Sequence, residues 1–487
     1  MLLNQGDQSK KLISNHQPKI MSKKYLRLAG AVFCGLFTCV HSAFAGGVVG
    51  TNILTIQTVE ATGSGTTFVG SFDDTFTLDA GNNPISVVAA DVNGDGHMDL
   101  ICANGDDNLV VYTNDGSGNF VLAPTLSIGS GSSPYAVVAA DVNGDGKMDL
   151  ISANNGNNTL TVLTNNGHGG FVLASTPGVG GHPFSVAAAD IKGDGKLALI
   201  CANRSDNTLT VLTNKGKGLF GFNATYSVGN PPFYSGPRCV IAADVNGDGY
   251  VDLISANHDG DTLTVLTNNI NNIGYFGSNA TYTVGGGPQC VIAADVNGDG
   301  HVDLISANEL DNNLTVLTNN GHGRFVLASS PDVGSGPKSV VAADVNGDGH
   351  VDLISANGGD NTLSVLTNDG SSSFVLCSTL DMGADANPIS VTAADVNGDG
   401  GVDLICANYG YSDLMVLLNT PTSSGSLNGV AISWSTNATG FVLQQNSNLA
   451  TANWVNVSMP PTVTNQLNQV IIAPIVDSPL FYRLRHP

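Results

Sequence analysis

The chain has 487 residues, 60 of them Gly, and only 12% are charged. That excludes long surface helices, which draw on Ala, Leu, Glu, Lys and Arg, and suits many short strands joined by turns. A formal net charge of −23 excludes nucleic acid and anionic membranes as partners, since phosphate surfaces are met with Lys and Arg.

The N-terminus reads as a secretory signal over residues 1–45. From Met21, a possible true start, Lys23, Lys24 and Arg27 precede an apolar run from Leu28 to Val40 and a small-residue site at Ala43-Phe44-Ala45. The run is too short for a membrane anchor, and Phe33 and Thr38 spoil a lipobox at Cys34 or Cys39. Cleavage removes six basic residues and one acidic residue, taking the net charge from −23 to −28. A bacterial, secreted or cell-surface protein with no membrane span is expected.

A lead segment, 46–65, opens onto the organising feature of the chain. The string A-D-V-N-G-D-G-x-x-D-L places an acidic loop at Asp91, Asp141, Asp244, Asp295, Asp344 and Asp395, with a degenerate copy at Asp190. The spacings are 50, 49, 54, 51, 49 and 51 residues, a period that means propellers or solenoids. A full repeat carries four short β-branched or apolar runs bounded by Gly, Asn or Pro. In the second these are Ala136–Ala140, Leu150–Ala153, Thr159–Thr164 and Phe171–Ser175. Four antiparallel strands per unit make a propeller blade; a parallel β-helix would need a much shorter period.

The ring must close. The seventh repeat lacks a fourth run before the linker 421–428, yet Thr77-Leu-Asp-Ala-Gly-Asn-Asn-Pro-Ile-Ser86 echoes the fourth-to-first junction at 379–390. The N-terminal segment is therefore expected to complete the last blade and remove an exposed edge. The expected fold is all-β: a seven-bladed propeller over 66–420 and a small β-module over 429–487. That module holds both tryptophans, Trp434 and Trp454. Its F-V-L-Q and F-Y-R-L-R runs resemble a C-terminal β-module of large secreted bacterial proteins.

Eight cysteines in an exported chain suggest disulfides, but internal alignment argues otherwise. Cys102, Cys201 and Cys406 replace the Ser of I-S-A-N, Cys239 and Cys290 the Ser of S-V-V-A-A-D, and Cys377 an Ala. They read as small space-fillers.

The acidic loops read as calcium sites, because Ca²⁺ takes six to eight oxygens. In the first loop Asp91, Asn93, Asp95 and Asp99 supply side-chain oxygens and His97 a backbone carbonyl. The equivalent sets are Asp141, Asn143, Asp145, Lys147 and Asp149; Asp244, Asn246, Asp248, Tyr250 and Asp252; and Asp295, Asn297, Asp299, His301 and Asp303. The last two are Asp344, Asn346, Asp348, His350 and Asp352, and Asp395, Asn397, Asp399, Gly401 and Asp403. Free variation at position seven follows from its backbone role. Three carboxylates so close repel unless a cation neutralises them, which argues against plain Asx-turns. No flanking helices and no Glu at position twelve exclude an EF-hand. At Asp190, Lys192 and Ala198 stand at ligand positions, so that loop is expected to lack the ion. Six bound Ca²⁺ would bring the mature charge from −28 to about −16.

The repeats resemble the FG-GAP/VCBS calcium propellers, related to the integrin α-subunit head, over about residues 66–420. The "FG" is met by Gly118-Asn-Phe120 and Gly323-Arg-Phe325, and the "GAP" loosely by Gly336-Pro337 and Gly236-Pro237. The resemblance implies extracellular binding or adhesion, with some members attached to polysaccharide lyases or phospholipases.

No G-x-S-x-G, H-E-x-x-H or Ser/His/Asp pattern appears. A monomeric binding or adhesion module for carbohydrate or protein is expected, the alternative being a carbohydrate-active, lyase-like enzyme on a calcium propeller. Departures from the repeat gather on the face opposite the calcium loops: Arg204, Arg238, His258, Glu309, Tyr409, Tyr411 and the insertion with Phe233 and Tyr234. Arg204, Phe233, Tyr234, Arg238 and His258 are the candidate ligand-binding residues.

Overall fold

Each of the seven repeats opens its sheet with P-x-x-V-x-A-A, from Pro84–Ala90 to Pro388–Ala394. Pro suits the first residue of a strand, where its missing N–H costs no ladder bond. The Val at the fourth place is buried each time, and the three residues after it stay half-buried. In the computed structural model these runs are the innermost strands of seven antiparallel blades of four strands each, the outer strand of blade one being split into Phe120–Leu122 and Leu126–Ser127. Each innermost strand touches the corresponding strands of the two adjacent blades, so the seven form a closed ring around an axis. The structure describes residues 71–229 and 235–420 continuously, together with short strands between Leu26 and Thr58 and between Val430 and Arg485.

Strand two, D-L-I-S-A-N or a close variant, is buried along its whole length in every blade. It lies between two blades and has no solvent face, hence the continuous apolar run rather than an alternating one. The core is accordingly split into seven clusters, one at each blade–blade interface. Between blades one and two, for example, Val92, Ile101, Leu109 and Val111 pack on Val137, Leu150 and Leu163. Each such fully buried side chain contributes about 1.5–3 kcal/mol. The turn from strand two to three ends in Asp107, Asn158, Asn207, Asp261, Asn312, Asn361 or Ser412, all with positive φ. Asn and Asp tolerate this left-handed conformation best among residues with a side chain.

The closure expected from the 77–86 echo is present. Ser71–Asp79 pairs antiparallel with Asp413–Thr420, placing Leu78 opposite Leu414 and Phe76 opposite Val416. Blade seven then packs on blade one through Val396, Leu414, Val416, Leu100 and Tyr112.

Residues 65–422 form one compact unit, and residues 1–64 with 423–487 form the other. In the latter, Leu54–Thr58 pairs with Val430–Ser435, and Val442–Asn446 pairs with Leu480–Arg485. Leu26–Leu28 and Thr38–Cys39 also join its sheets. The lead segment thus shares a sheet with the C-terminal residues. No helix among the described residues is long and apolar enough to cross a membrane. Cys102, Cys201 and Cys406 are fully buried, and burial pushes their thiols up; Cys239, Cys290 and Cys377 are half-buried.

Candidate metal centres and the opposite face

The acidic loop links strands one and two, so its ninth residue is the first residue of the buried strand two. Asp99, Asp149, Asp252, Asp303, Asp352 and Asp403 are therefore fully buried. One oxygen accepts the N–H of loop residue two and the other the N–H of the Asn that ends strand three. For Asp149 the donors are Val142 at 3.1 Å and Asn165 at 2.8 Å. Burial pushes the carboxyls of Asp252, Asp352 and Asp403 up to about 6; backbone N–H bonds oppose this, and the first and fifth Asp of each loop add to it.

The first Asp holds the loop's tight turn. Its Oδ2 accepts the N–H of the sixth-position Gly at 2.7–2.9 Å in all six intact loops. The fifth Asp accepts the N–H of residue seven at 2.8–3.0 Å. Asn143 differs from its counterparts by donating to Asp149 at 3.4 Å. Four position-seven side chains turn away from the loop, onto the strand three-to-four turn of the same blade, while Tyr250 lies against Gly193 in the loop of blade three. His97 covers Gly116, Lys147 covers Gly167, His301 covers Gly321 and His350 covers Gly370, each leaving no room for a Cβ there. This fits a backbone-only part for residue seven.

Calcium fits the donors these loops present. All are hard oxygens, and a carboxylate holding two N–H bonds keeps lone pairs for a cation. Among the described residues no three His, Cys, Asp or Glu side chains already stand as a metal-ligand set; the loop's own donors also include an amide and a carbonyl. In the Asp190 loop, burial pushes the Asp190 carboxyl up but N–H bonds from Gly195, Lys192 and Asp194 outweigh it and hold it low. Ala198 fills the buried ninth place, and the Lys192 stem lies against Gly274 of blade four.

One set of residues escaped the sequence reading. The Asn ending strand three donates its side-chain amide to the position-two carbonyl of the preceding blade's loop, at 2.7–2.8 Å. Asn114, Asn165, Asn214, Asn268, Asn319, Asn368 and Asn419 do this around the whole ring. The signal was available: the same Asn closes strand three in all seven repeats.

On the opposite face, the second residue of each innermost strand stands at the axial mouth. The seven are Ile85, Tyr135, Phe184, Arg238, Gln289, Lys338 and Ile389. The two-to-three turns of blades three to five add Arg204, His258, Asp259 and Glu309. His258 bridges Asp259 at 2.7 Å and Glu309 at 3.1 Å. Lys338 and Gln289 also bind Glu309, and Arg238 lies 3.6 Å from it. Hydrogen bonding from His258, then Lys338, holds Glu309 well below the usual carboxylate range. Both guanidinium groups sit over the Phe184 ring, at 5.4 and 5.5 Å, and Tyr135 packs on that ring at 4.6 Å. Of the five candidate ligand residues the structure joins Arg204, Arg238 and His258; Phe233 and Tyr234 lie outside the described residues. Tyr409 and Tyr411 are exposed on blade seven, apart from this cluster.

The FG-GAP-like repeat model matches residues 91–152, 141–201, 193–255, 244–306, 295–355 and 344–406, most of the ring. The chain belongs to the FG-GAP-like repeat family. A comparison with curated proteins finds no match. Among solved structures, BBS1N in complex with ARL6DN is similar at 12% identity and a TM-score of 0.50, covering 72% of this chain and 97% of its own. A Bacteroides fragilis protein described as a candidate 6-phosphogluconolactonase is similar at 15% identity and 0.51, covering 63% and 86%. At these identities the likeness is one of fold. The FG-GAP propeller fold supports a binding-type module in general.

Proposed function

We propose that this FG-GAP chain is an exported binding module whose ring is held by structural Ca²⁺ in six of its seven acidic loops. The reading rests on one observation above all. Six loops each bury an Asp, and burial first, then the two further carboxylates beside it, push its proton affinity up, while the seventh loop has Ala198 there instead. When bound, Ca²⁺ supplies positive charge at each such set. The protein's own residues do the rest: backbone N–H groups preorganise the loop, and Asn165 and its equivalents carry that order into the next blade.

The ligand face is the opposite one, where blades two to six depart from the repeat. Its partner is an extracellular carbohydrate or protein. Glu309, held ionised by fixed donors, suits an ion-pair network better than proton transfer, which favours binding over catalysis. Metal analysis after equilibration in millimolar Ca²⁺, followed by melting with and without EDTA, tests the calcium reading. Six ions bound per chain at millimolar Ca²⁺ and a large EDTA-induced drop in Tm are expected, and an unchanged Tm would refute it.

A further inference from the structure

The cluster at the axial mouth has more donors than acceptors. Arg204, Arg238 and Lys338 converge with His258 and Gln289 on only two carboxylates, Asp259 and Glu309. Glu309 is already engaged by His258, Lys338 and Gln289. Each guanidinium reaches a carboxylate only as a long ion pair, Arg204 to Asp259 at 3.7 Å and Arg238 to Glu309 at 3.6 Å. The Nε atoms of both are buried without a hydrogen-bond partner. A guanidinium presents five donors in a planar fork, and a buried donor left unmet keeps its full desolvation penalty. Burial, and then the charge of Arg204, hold the Arg238 guanidinium below its usual range. Three of the nine Lys and Arg residues between 71 and 420 meet at this one place in a strongly acidic protein.

We propose that this mouth, on blades two to four, binds a ring-borne monocarboxylate. The ligand carboxylate accepts from the Arg204 and Arg238 forks, and its ring lies against the Tyr135–Phe184 pair. The inference rests on the ligand-face reading above and adds to it the chemistry of the ligand. A planar carboxylate matches the guanidinium fork, and an aromatic pair beside it offers a flat apolar platform. A single charge is favoured over a polyanion because the rest of this face is acidic. Asp107, Asp206, Asp311 and Asp360 rim it with their carboxylates committed to backbone N–H groups. A chain of spaced carboxylates would be repelled there. Beneath the mouth the same three strands line a cavity of about 320 Å³ with Val138, Val186, Val240, Ile241 and the alanines beside them.

The test is calorimetric titration of the full chain, in millimolar Ca²⁺, with sodium glucuronate and with sodium benzoate. Glucose and benzamide serve as uncharged controls. Saturable binding of at least one acid, absent with its neutral control, is expected; the stronger acid tells whether the ring is a sugar or an aromatic. Arg238→Lys keeps the charge and removes the fork, so affinity should fall about tenfold or more. Arg204→Met with Arg238→Met should abolish binding while the Ca²⁺-dependent melting transition persists. Absence of binding by both acids, or unchanged affinity in the folded double variant, overturns the proposal. A glycan and peptide array run with the same variants separates the two readings. Array ligands lost in the double variant, without any carboxylate binding, would leave the ligand face standing and remove this inference alone.

Discussion

The side-chain amide of Asn165 donates to the backbone carbonyl of Val92 at 2.7 Å, crossing from blade two to the acidic loop of blade one. Its backbone N–H meanwhile donates to Asp149 in the loop of its own blade. One residue therefore ties two candidate metal loops together, and its equivalents repeat the tie around the ring. Asn165→Ala removes the shorter of two donors to the buried Val92 carbonyl, which keeps the Gly169 N–H at 3.2 Å, and also the donor to the Met148 carbonyl, a loss of about 1 kcal/mol. Urea unfolding should show that decrease, with a matching loss in Asn319→Ala. An unchanged midpoint in both would show that the interblade bond contributes nothing.

Calcium removal should act on the ring as a whole. At millimolar Ca²⁺ and a Kd near 0.1 mM, each site adds roughly 1.4 kcal/mol, so six add on the order of 8 kcal/mol. That rivals the stability of an ordinary domain. Chelation is expected to lower Tm steeply, and re-addition of Ca²⁺ to restore it. Mg²⁺ should restore little, since it demands a tighter octahedral shell.

The Asp190 loop should be convertible. Lys192→Asn with Ala198→Asp rebuilds the loop pattern of its siblings, and metal analysis should then rise from six ions to seven. A wild-type count of seven would show that Lys192 and Ala198 do not exclude the ion.

Deleting residues 46–80 removes the outer strand Ser71–Asp79 from blade seven. The strand Asp413–Thr420 then loses its partner and presents the unpaired apolar edge Leu414-Met-Val-Leu-Leu418. Association in gel filtration and a lowered Tm are expected. A monomer with wild-type melting would refute the closure as a stabilising contact.

The Glu309 network makes a pH prediction of definite sign. Its folded carboxyl lies well below the glutamate value of 4.5 through His258 and Lys338. An acid with a depressed folded pKa stabilises the fold above its unfolded value, and that stability is lost as pH falls through the folded pKa. Wild type should therefore lose stability as pH drops below about 4.5. Glu309→Gln should be less stable near pH 7 and show a smaller fall on acidification. Parallel pH profiles for the two proteins would remove Glu309 from the ledger.

The period near 50 residues, the four runs per repeat and the registered acidic loops already specified a seven-bladed ring. The 77–86 echo even located its closing strand, because a missing outer strand and a spare one are both visible along the chain. The position-seven side chains leave their own loops, in keeping with the free variation at that place in the sequence. Other features were not legible because they join blades. The ninth Asp reads as a loop ligand alone, yet it opens the buried strand two and is held by the Asn that ends strand three, as Asp149 is by Asn165. The axial mouth brings Tyr135, Phe184, Arg238, Gln289 and Lys338 together from strands about 50 residues apart, next to Arg204 and Glu309 from separate turns. A local pattern records which face a side chain takes within its own strand. Only ring closure decides which side chains meet across the axis, because that depends on how seven sheets pack.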